Sequence, residues 1–289
     1  MRFKPLAWAL ALLLSLPSAA QSDDLLRNGE LLLAAGGMSY IGDLNNQSAL
    51  GMPHGAAAVG LRYRLDNRWA LRFELACGSI ASPEKDYIRQ RNLSFRSDIW
   101  ELSGVGEFNF APFGGPNDRL WTPYIFGGLA VFYFNPMASY LRADGSTAWA
   151  ELQPLHTEGQ GSQAYSGRQP YRLVQVSLPF GVGVKVRLSK VFTVAAQYGF
   201  RKTWTDYLDD VSTTYVEPSV LLSNADDGAL AVQLADRSGE VTPGFSNAPG
   251  IKRGDDSLDD WYSFFNLSVG VSLETLFGWT QKKRCKLNN

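Results

Sequence analysis

Two histidines, His54 and His156, are the only ordinary general bases in the chain. Hydrolytic or acyl-transfer chemistry would need one of them within hydrogen-bond reach of a hydroxyl or thiol nucleophile and of an orienting acid. No motif around either supplies that set, so both read as loop residues and no catalytic residue is assigned. Carboxylates are more plentiful. Asp206, Asp209 and Asp210 form one cluster, Asp226 and Asp227 a second, and Asp255, Asp256, Asp259 and Asp260 a third. Oxygen-rich groups of this kind can bind calcium. Their spacing fits neither an EF-hand loop nor a repeated acidic nonapeptide, so they read as solvated loop charge, with no metal site. The triplet Arg253-Gly254-Asp255 is too short to indicate adhesion. Two cysteines, Cys77 and Cys285, make no disulfide framework and, with so few histidines, no zinc centre. No cofactor is expected.

The elements that must carry these residues begin with a targeting segment. Arg2 and Lys4 precede an almost unbroken apolar run from Leu6 to Leu16, followed by Pro17, Ser18, Ala19 and Ala20. Residues 1–20 therefore read as a secretory signal peptide, cleaved after Ala20. The run is too short to cross a bilayer as a helix, and no later stretch reaches roughly 18 apolar residues. Aromatic residues make up 12% of the chain and the formal net charge is −1, which argues against disorder and gives no reason to propose nucleic acid as a partner.

Beyond residue 20 the apolar residues recur at every second position. In residues 174–188, Val174, Val176, Leu178, Phe180, Val182, Val184, Val186 and Leu188 share one face. Residues 59–65, 69–77, 100–110, 192–201 and 261–273 alternate likewise, and residues 30–40 and 122–134 are strand-like but apolar on both faces. That makes eight strands, several above ten residues, the length that crosses a bilayer at a steep tilt. Short and long connections alternate strictly, the long ones at about 13, 18, 39 and 59 residues. The fold expected is all-β: an eight-stranded antiparallel transmembrane β-barrel over residues 21–275, with long extracellular loops and short periplasmic turns. An open sheet edge in lipid would leave backbone groups unpaired, so the sheet must close. The inward set includes Arg62, Arg64, Arg72, Glu74, Glu101, Glu107, Lys185 and Arg201, which must pair inside a narrow lumen. The lumen is expected to be a salt-bridged plug, which makes a porin the weakest reading.

Trp69, Trp100, Trp121, Tyr124, Trp261 and Tyr262 suit interfacial girdles, and Pro179 inside the sixth strand suggests a bulge or strained edge. A soluble lipocalin-like barrel or sandwich would show the same alternation with its faces exchanged; the signal peptide, the strand lengths and the loop asymmetry favour the membrane form. Residues 276–289 read as a basic periplasmic tail, in which Lys282, Lys283, Arg284 and Lys286 surround Cys285. Cys77 falls on the lipid face, so the two thiols should not meet, and Cys285 is either bridged between chains or a free or capped thiol.

The segments Tyr40-Ile-Gly-Asp-Leu-Asn45, Arg91-Asn-Leu-Ser-Phe-Arg-Ser-Asp98 and Thr122-Pro-Tyr-Ile-Phe-Gly-Gly128 add a further signal. With them stand Leu152-Gln-Pro-Leu-His-Thr-Glu-Gly-Gln-Gly161, Arg201-Lys-Thr-Trp-Thr-Asp-Tyr-Leu-Asp-Asp-Val-Ser-Thr-Thr-Tyr215 and Asp260-Trp-Tyr262. In this order they resemble the Bacteroidetes outer-membrane β-barrel family that includes PorG of the type IX secretion system. The resemblance spans nearly the whole mature chain. It implies a non-catalytic outer-membrane barrel, anchoring a periplasmic ring built from the PorK lipoprotein and PorN. Cys285 is then a candidate tether, and Lys282, Lys283, Arg284 and Lys286 a candidate docking tail. Residues 217–250 lengthen the last external loop beyond a minimal member. The alternatives are a lipid A-modifying barrel enzyme, with His54 near the loop-proximal end of the second strand, and a small adhesin or ligand-binding barrel acting through its external loops.

Overall fold

The computed structural model describes residues 19–45, 53–83, 91–115 and 118–277. A helix, α1 (Ala19–Asn28), leads into β1 (Gly29–Ile41), β2 (His54–Arg64), β3 (Trp69–Pro83), β4 (Ser94–Asn109) and β5 (Trp121–Tyr133). A small hairpin follows, β6 (Pro136–Leu141) and β7 (Thr147–Glu151), and then β8 (Val174–Arg187) and β9 (Phe192–Thr203). The long segment before β10 (Trp261–Ser272) carries three short helices, α2 (Pro218–Asn224), α3 (Gly228–Ala235) and α4 (Ser238–Val241). Of the ten strands, β6 and β7 form an appendage that pairs with the outer end of β4 at Arg96 and Ser97. The other eight close on themselves. Each pairs antiparallel with both neighbours, and β3–β4 and β1–β10 complete the ring. No barrel strand is left with a free edge, as lipid requires.

The short turns are built by side chains that replace missing ladder bonds. Asp66 Oδ1 accepts from the backbone N–H groups of Arg68 and Trp69 at 2.6 and 2.7 Å, closing β2 onto β3. Ser189 Oγ does the same for Val191 and Phe192 at 3.1 Å between β8 and β9. Pro179 makes no bulge. The β5–β8 register is the same on both sides of it, with Gly127 opposite Phe180 and Ala130 opposite Ser177. Only the two pairings between them drop out, because proline lacks the N–H that the ladder would use. Toward β9 the ladder is continuous, with Pro179 opposite Arg201.

The outward face is apolar over the barrel's middle: Phe73, Leu102, Leu129, Val131, Val176, Val182 and Leu267 are all exposed there. Aromatics bound this band. Trp69, Phe110, Trp121 and Phe192 lie at the turn end, and Trp100 and Tyr133, opposite one another, at the loop end. Tyr124 and Tyr262, expected in these girdles, instead point inward and are 1% and 0% exposed. A closed sheet with this belt is an outer-membrane barrel, with the short turns on the periplasmic side.

Above Trp100 the alternation inverts. On β4, Phe95 and Ile99 are buried inside while Arg96 and Asp98 face out. There the barrel wall stands clear of lipid, so the outer face meets water and the inner face packs on the loops. This explains why β3 and β4 run to Pro83 and back to Ser94, beyond residues 77 and 100 where the sequence pattern placed their ends.

Leu129, 68% exposed at mid-strand, is expected to tolerate charge poorly. Leu129→Arg should cost about 2–4 kcal/mol in denaturant unfolding from lipid vesicles. Leu222→Arg, on the exposed face of α2, should stay within about 0.5 kcal/mol of wild type. Equal effects would show that the outward face does not meet lipid.

Candidate functional site

Inside the barrel, strands with period 2 aim every second side chain at the axis, and the inward positions are charged. Glu107 on β4 receives three cations: Arg62 Nε at 3.0 Å, Arg72 Nε at 3.0 Å and Lys185 Nζ at 2.6 Å. Glu30 takes the other side of Arg62 at 2.8 Å, and Glu74 lies 3.1 Å from Arg72. Gln197 Oε1 accepts from Arg72 Nη1 and from the Tyr124 hydroxyl, each at 2.9 Å. One layer outward, Arg201 grips Glu101 through Nε and Nη2 at 3.1 and 3.2 Å, and Tyr262 donates to Glu101 at 2.6 Å. Arg62, Arg72, Lys185 and Arg201 thus balance Glu30, Glu74, Glu101 and Glu107. The rings fill the remaining space, with Lys185 over Tyr124 at 4.3 Å and Arg72 over Phe126 at 5.0 Å. The expected salt-bridged plug is present; Arg64 alone of the inward set sits at the periplasmic rim, half-buried.

The outer mouth is closed differently. Met38, Ile80, Ile99, Phe132, Phe134 and Phe264 from the wall pack with Leu208, Val211, Leu221 and Leu234 from the last loop in one apolar cluster. The loop segment 217–250, expected as an external insertion, therefore supplies part of a cap core. Buried polar ties hold that cap. Arg253, 2% exposed, donates to Glu158 at 3.0 Å, to the Asp210 carbonyl and to the Ala235 carbonyl. Glu158 also accepts from the backbone of Ser212 and Thr213 at 3.0 and 2.9 Å and from the Thr213 hydroxyl at 2.6 Å. Asp210 accepts from Thr157 and Tyr171 at 2.5 and 2.7 Å. With Arg253 buried, the Arg253-Gly254-Asp255 triplet is no adhesion loop.

Beside these ties Tyr40 reaches two carboxyls, Asp209 Oδ2 at 2.6 Å and Asp260 Oδ1 at 2.9 Å. A phenol has one proton to give. The second close oxygen pair therefore needs a proton on a carboxyl, so the cluster shares protons. Burial pushes Asp206 up to about 9 and Asp209 up to about 8, and raises Asp260 well above the usual carboxylate range. Asp210, buried but facing Arg253, rises only to about 6. The reading of Asp206, Asp209, Asp210 and Asp260 as solvated charge is thus wrong for these four: the cap removes them from water. Asp226, Asp227, Asp256 and Asp259 are exposed, as expected. Gly42 has no alternative here, because a Cβ would collide with the Asp260 carboxylate and the Tyr40 hydroxyl.

His54 opens β2, half-buried and opposite Met38. His156, in the left-handed region at φ 48°, lies 3.3 Å from the Asn224 side-chain amide through Nδ1. The structure does not bring the two histidines into one site. Among the described residues no group of three or more His, Cys, Asp or Glu side chains is arranged to hold a metal. Cys77 is free, half-buried on β3 opposite Trp100. Cys285, Lys282, Lys283, Arg284 and Lys286 lie outside the described residues. Sequence reasoning missed Glu158, Arg253 and Tyr40 as ties. The signal was their place in, or between, the segments quoted above: 40–45, 152–161, 201–215 and 260–262 converge on one cap.

Two outcomes follow. Glu107→Gln removes the counter-charge that three buried cations share and, among the described residues, leaves Lys185 with no carboxylate in contact. It should destabilise the barrel by about 3–5 kcal/mol in denaturant unfolding from vesicles; a change below about 1 kcal/mol would show that the network is not what fills the lumen. The cap carboxyls have raised pKa values when folded, so their contribution to stability is complete below the unfolded value near 4 and fades as pH rises through about 8 to 9. Asp255, held down to about 2, acts below this window. Protease cleavage within residues 205–260 should therefore accelerate from pH 5 to pH 9 while the barrel stays folded, and Asp260→Asn should flatten that rise.

No curated protein matches the sequence. Solved structures similar to the chain include Ail of Yersinia pestis, 9% identical with a TM-score of 0.39 over 84% of this chain and 97% of that one. Neisserial surface protein A is also 9% identical, with a TM-score of 0.39 over 84% and 96%. OprG of Pseudomonas aeruginosa is 11% identical, with a TM-score of 0.38 over 84% and 96%. The family model described as a domain of unknown function, DUF6089, matches residues 7–151, just over half of the sequence, and the chain belongs to that family.

Proposed function

We propose that this barrel is a non-catalytic scaffold that anchors a periplasmic protein assembly to the outer membrane, the assembly being the PorK- and PorN-type ring of the type IX secretion system. One observation carries the scaffold reading: the lumen is filled by neutralised charge and the outer mouth is covered by a cap with its own apolar core, so the barrel offers a rigid body in place of a path. The identity of the ring rests on the motif resemblance. The reading places the docking function at the periplasmic turns and the tail after β10, with Cys285 as a covalent tether through an intermolecular disulfide and Lys282, Lys283, Arg284 and Lys286 around it.

A pull-down of the full-length protein from solubilised outer membranes tests it. Ring subunits should co-purify, a heavier thiol-sensitive band should vanish in Cys285→Ser, and loss of the protein should stop secretion. Recovery of the barrel alone, from cells that secrete normally without it, would remove the anchor reading.

A further inference from the structure

We propose that the periplasmic mouth of the barrel is a binding site for an oxyanion, a carboxylate or phosphate group, gripped by Arg64 and Arg187. A cavity of about 230 Å3 opens there between α1, the turn after β4 and the ends of β1, β8 and β9. Its charged lining is Arg27, Arg64, Arg187 and Lys190 against Glu30 and Glu274. The half-buried charges decide the site, because Arg27, Lys190 and Glu274 are all exposed and screened by water. Glu30 is already held by Arg62 at 2.8 Å.

The two arginines converge on one turn. Arg64 Nη1 donates to the Gly114 carbonyl at 2.9 Å, and Arg187 Nη1 to the next carbonyl, Gly115, at 2.5 Å. Arg64 Nη2 reaches Asn28 Oδ1, and Arg187 Nη2 the Asp118 carbonyl, both at 3.3 Å. All four acceptors are neutral amide oxygens. They satisfy N–H groups, and among the described residues neither guanidinium has a carboxylate in salt-bridge contact. The nearby Asp118 carboxylate is turned to the Gly115 N–H at 2.7 Å. Each of the four deeper lumen cations, by contrast, has a carboxylate within 3.1 Å. A guanidinium carries five donors, so each of these half-buried arginines keeps unused ones. Paired forks with spare donors in a polar cavity are the geometry that takes carboxylate or phosphate. The volume admits such a group with a few waters and no folded element. The site stands independently of the ring reading, since a free ion, a lipid headgroup or an acidic peptide would present the same chemistry.

The test uses the folded chain in detergent micelles with 15N-labelled arginine side chains. Sodium phosphate is titrated against sodium chloride at constant ionic strength, and a tetraglutamate peptide in a second series. Two guanidinium signals should shift saturably. The Arg64→Gln, Arg187→Gln double variant should bind at least about tenfold more weakly, about 1.4 kcal/mol, while Arg142→Gln on the outer hairpin should leave binding unchanged. Saturation by phosphate alone assigns the site to a phosphate group, and saturation by tetraglutamate to a carboxylate. Should the double variant fail to fold by heat-modifiable gel mobility, Arg64→Lys, which keeps charge but loses the fork, should bind measurably more weakly. A response that never saturates, or one equal in the arginine variants and wild type, overturns the proposal.

Discussion

Everything in this molecule depends on neutralising charge where water is scarce. An eight-stranded barrel has an interior wide enough only for side chains. Filling it with cations would expel the barrel's own lining unless each found a partner. The network around Glu107 meets that demand, because one carboxylate held by Arg62, Arg72 and Lys185 joins β2, β3, β4 and β8 across the axis. Arg201 and Glu101 repeat the device between β9 and β4 one layer out. These ties cross the lumen, whereas ladder bonds run only between neighbours. They therefore fix which strands face each other, a contribution to specificity as much as to stability.

The barrel was legible in the sequence wherever one rule held along a strand. Between the aromatic girdles, apolar residues face lipid and polar ones face the lumen, and period 2 locates Val174 to Val186 without ambiguity. Past Trp100 the solvents exchange places. Phe95 and Ile99 turn in and Arg96 and Asp98 turn out, so a pattern keyed to apolar-outward residues ends a strand that in fact continues. The same exchange misplaced Tyr262, an aromatic at a strand end whose hydroxyl is needed by Glu101. The hairpin β6–β7 and the helices α2 to α4 were missed for a related reason. They are short, and what stabilises them is the barrel mouth, not their own periodicity.

The cap was illegible for a further reason: its ties join residues far apart in the chain. Arg253 to Glu158, and Tyr40 to Asp209 and Asp260, are contacts that no local spacing announces. Acidic residues in loops ordinarily mean solvated charge. Here two carboxyls and a phenol are buried together, and one phenolic proton cannot serve both close oxygen pairs, so a carboxyl keeps a proton. What the sequence did hold was the set of motif segments that meet at this point. The motifs thus encode how the outer mouth is closed, which is a property of the fold.

The two ends of the barrel solve closure in opposite ways, and the contrast bears on function. Outward, an apolar core and the polar ties of Arg253, Glu158, Asp210 and Tyr40 close the mouth. At the periplasmic end the turn at Phe113 to Gly115 and helix α1 approach the mouth without an apolar core of comparable size. Phe113 packs over Lys185 at 5.8 Å. Burial strengthens each interaction within the plug, but it also isolates the plug from solvent and ligand. At this mouth Arg64 and Arg187 stand half-buried with neutral partners beside an open cavity, and the proposed oxyanion site rests on that arrangement. The proposed anchor and the proposed oxyanion site thus both fall at the end of the barrel where a cavity remains open.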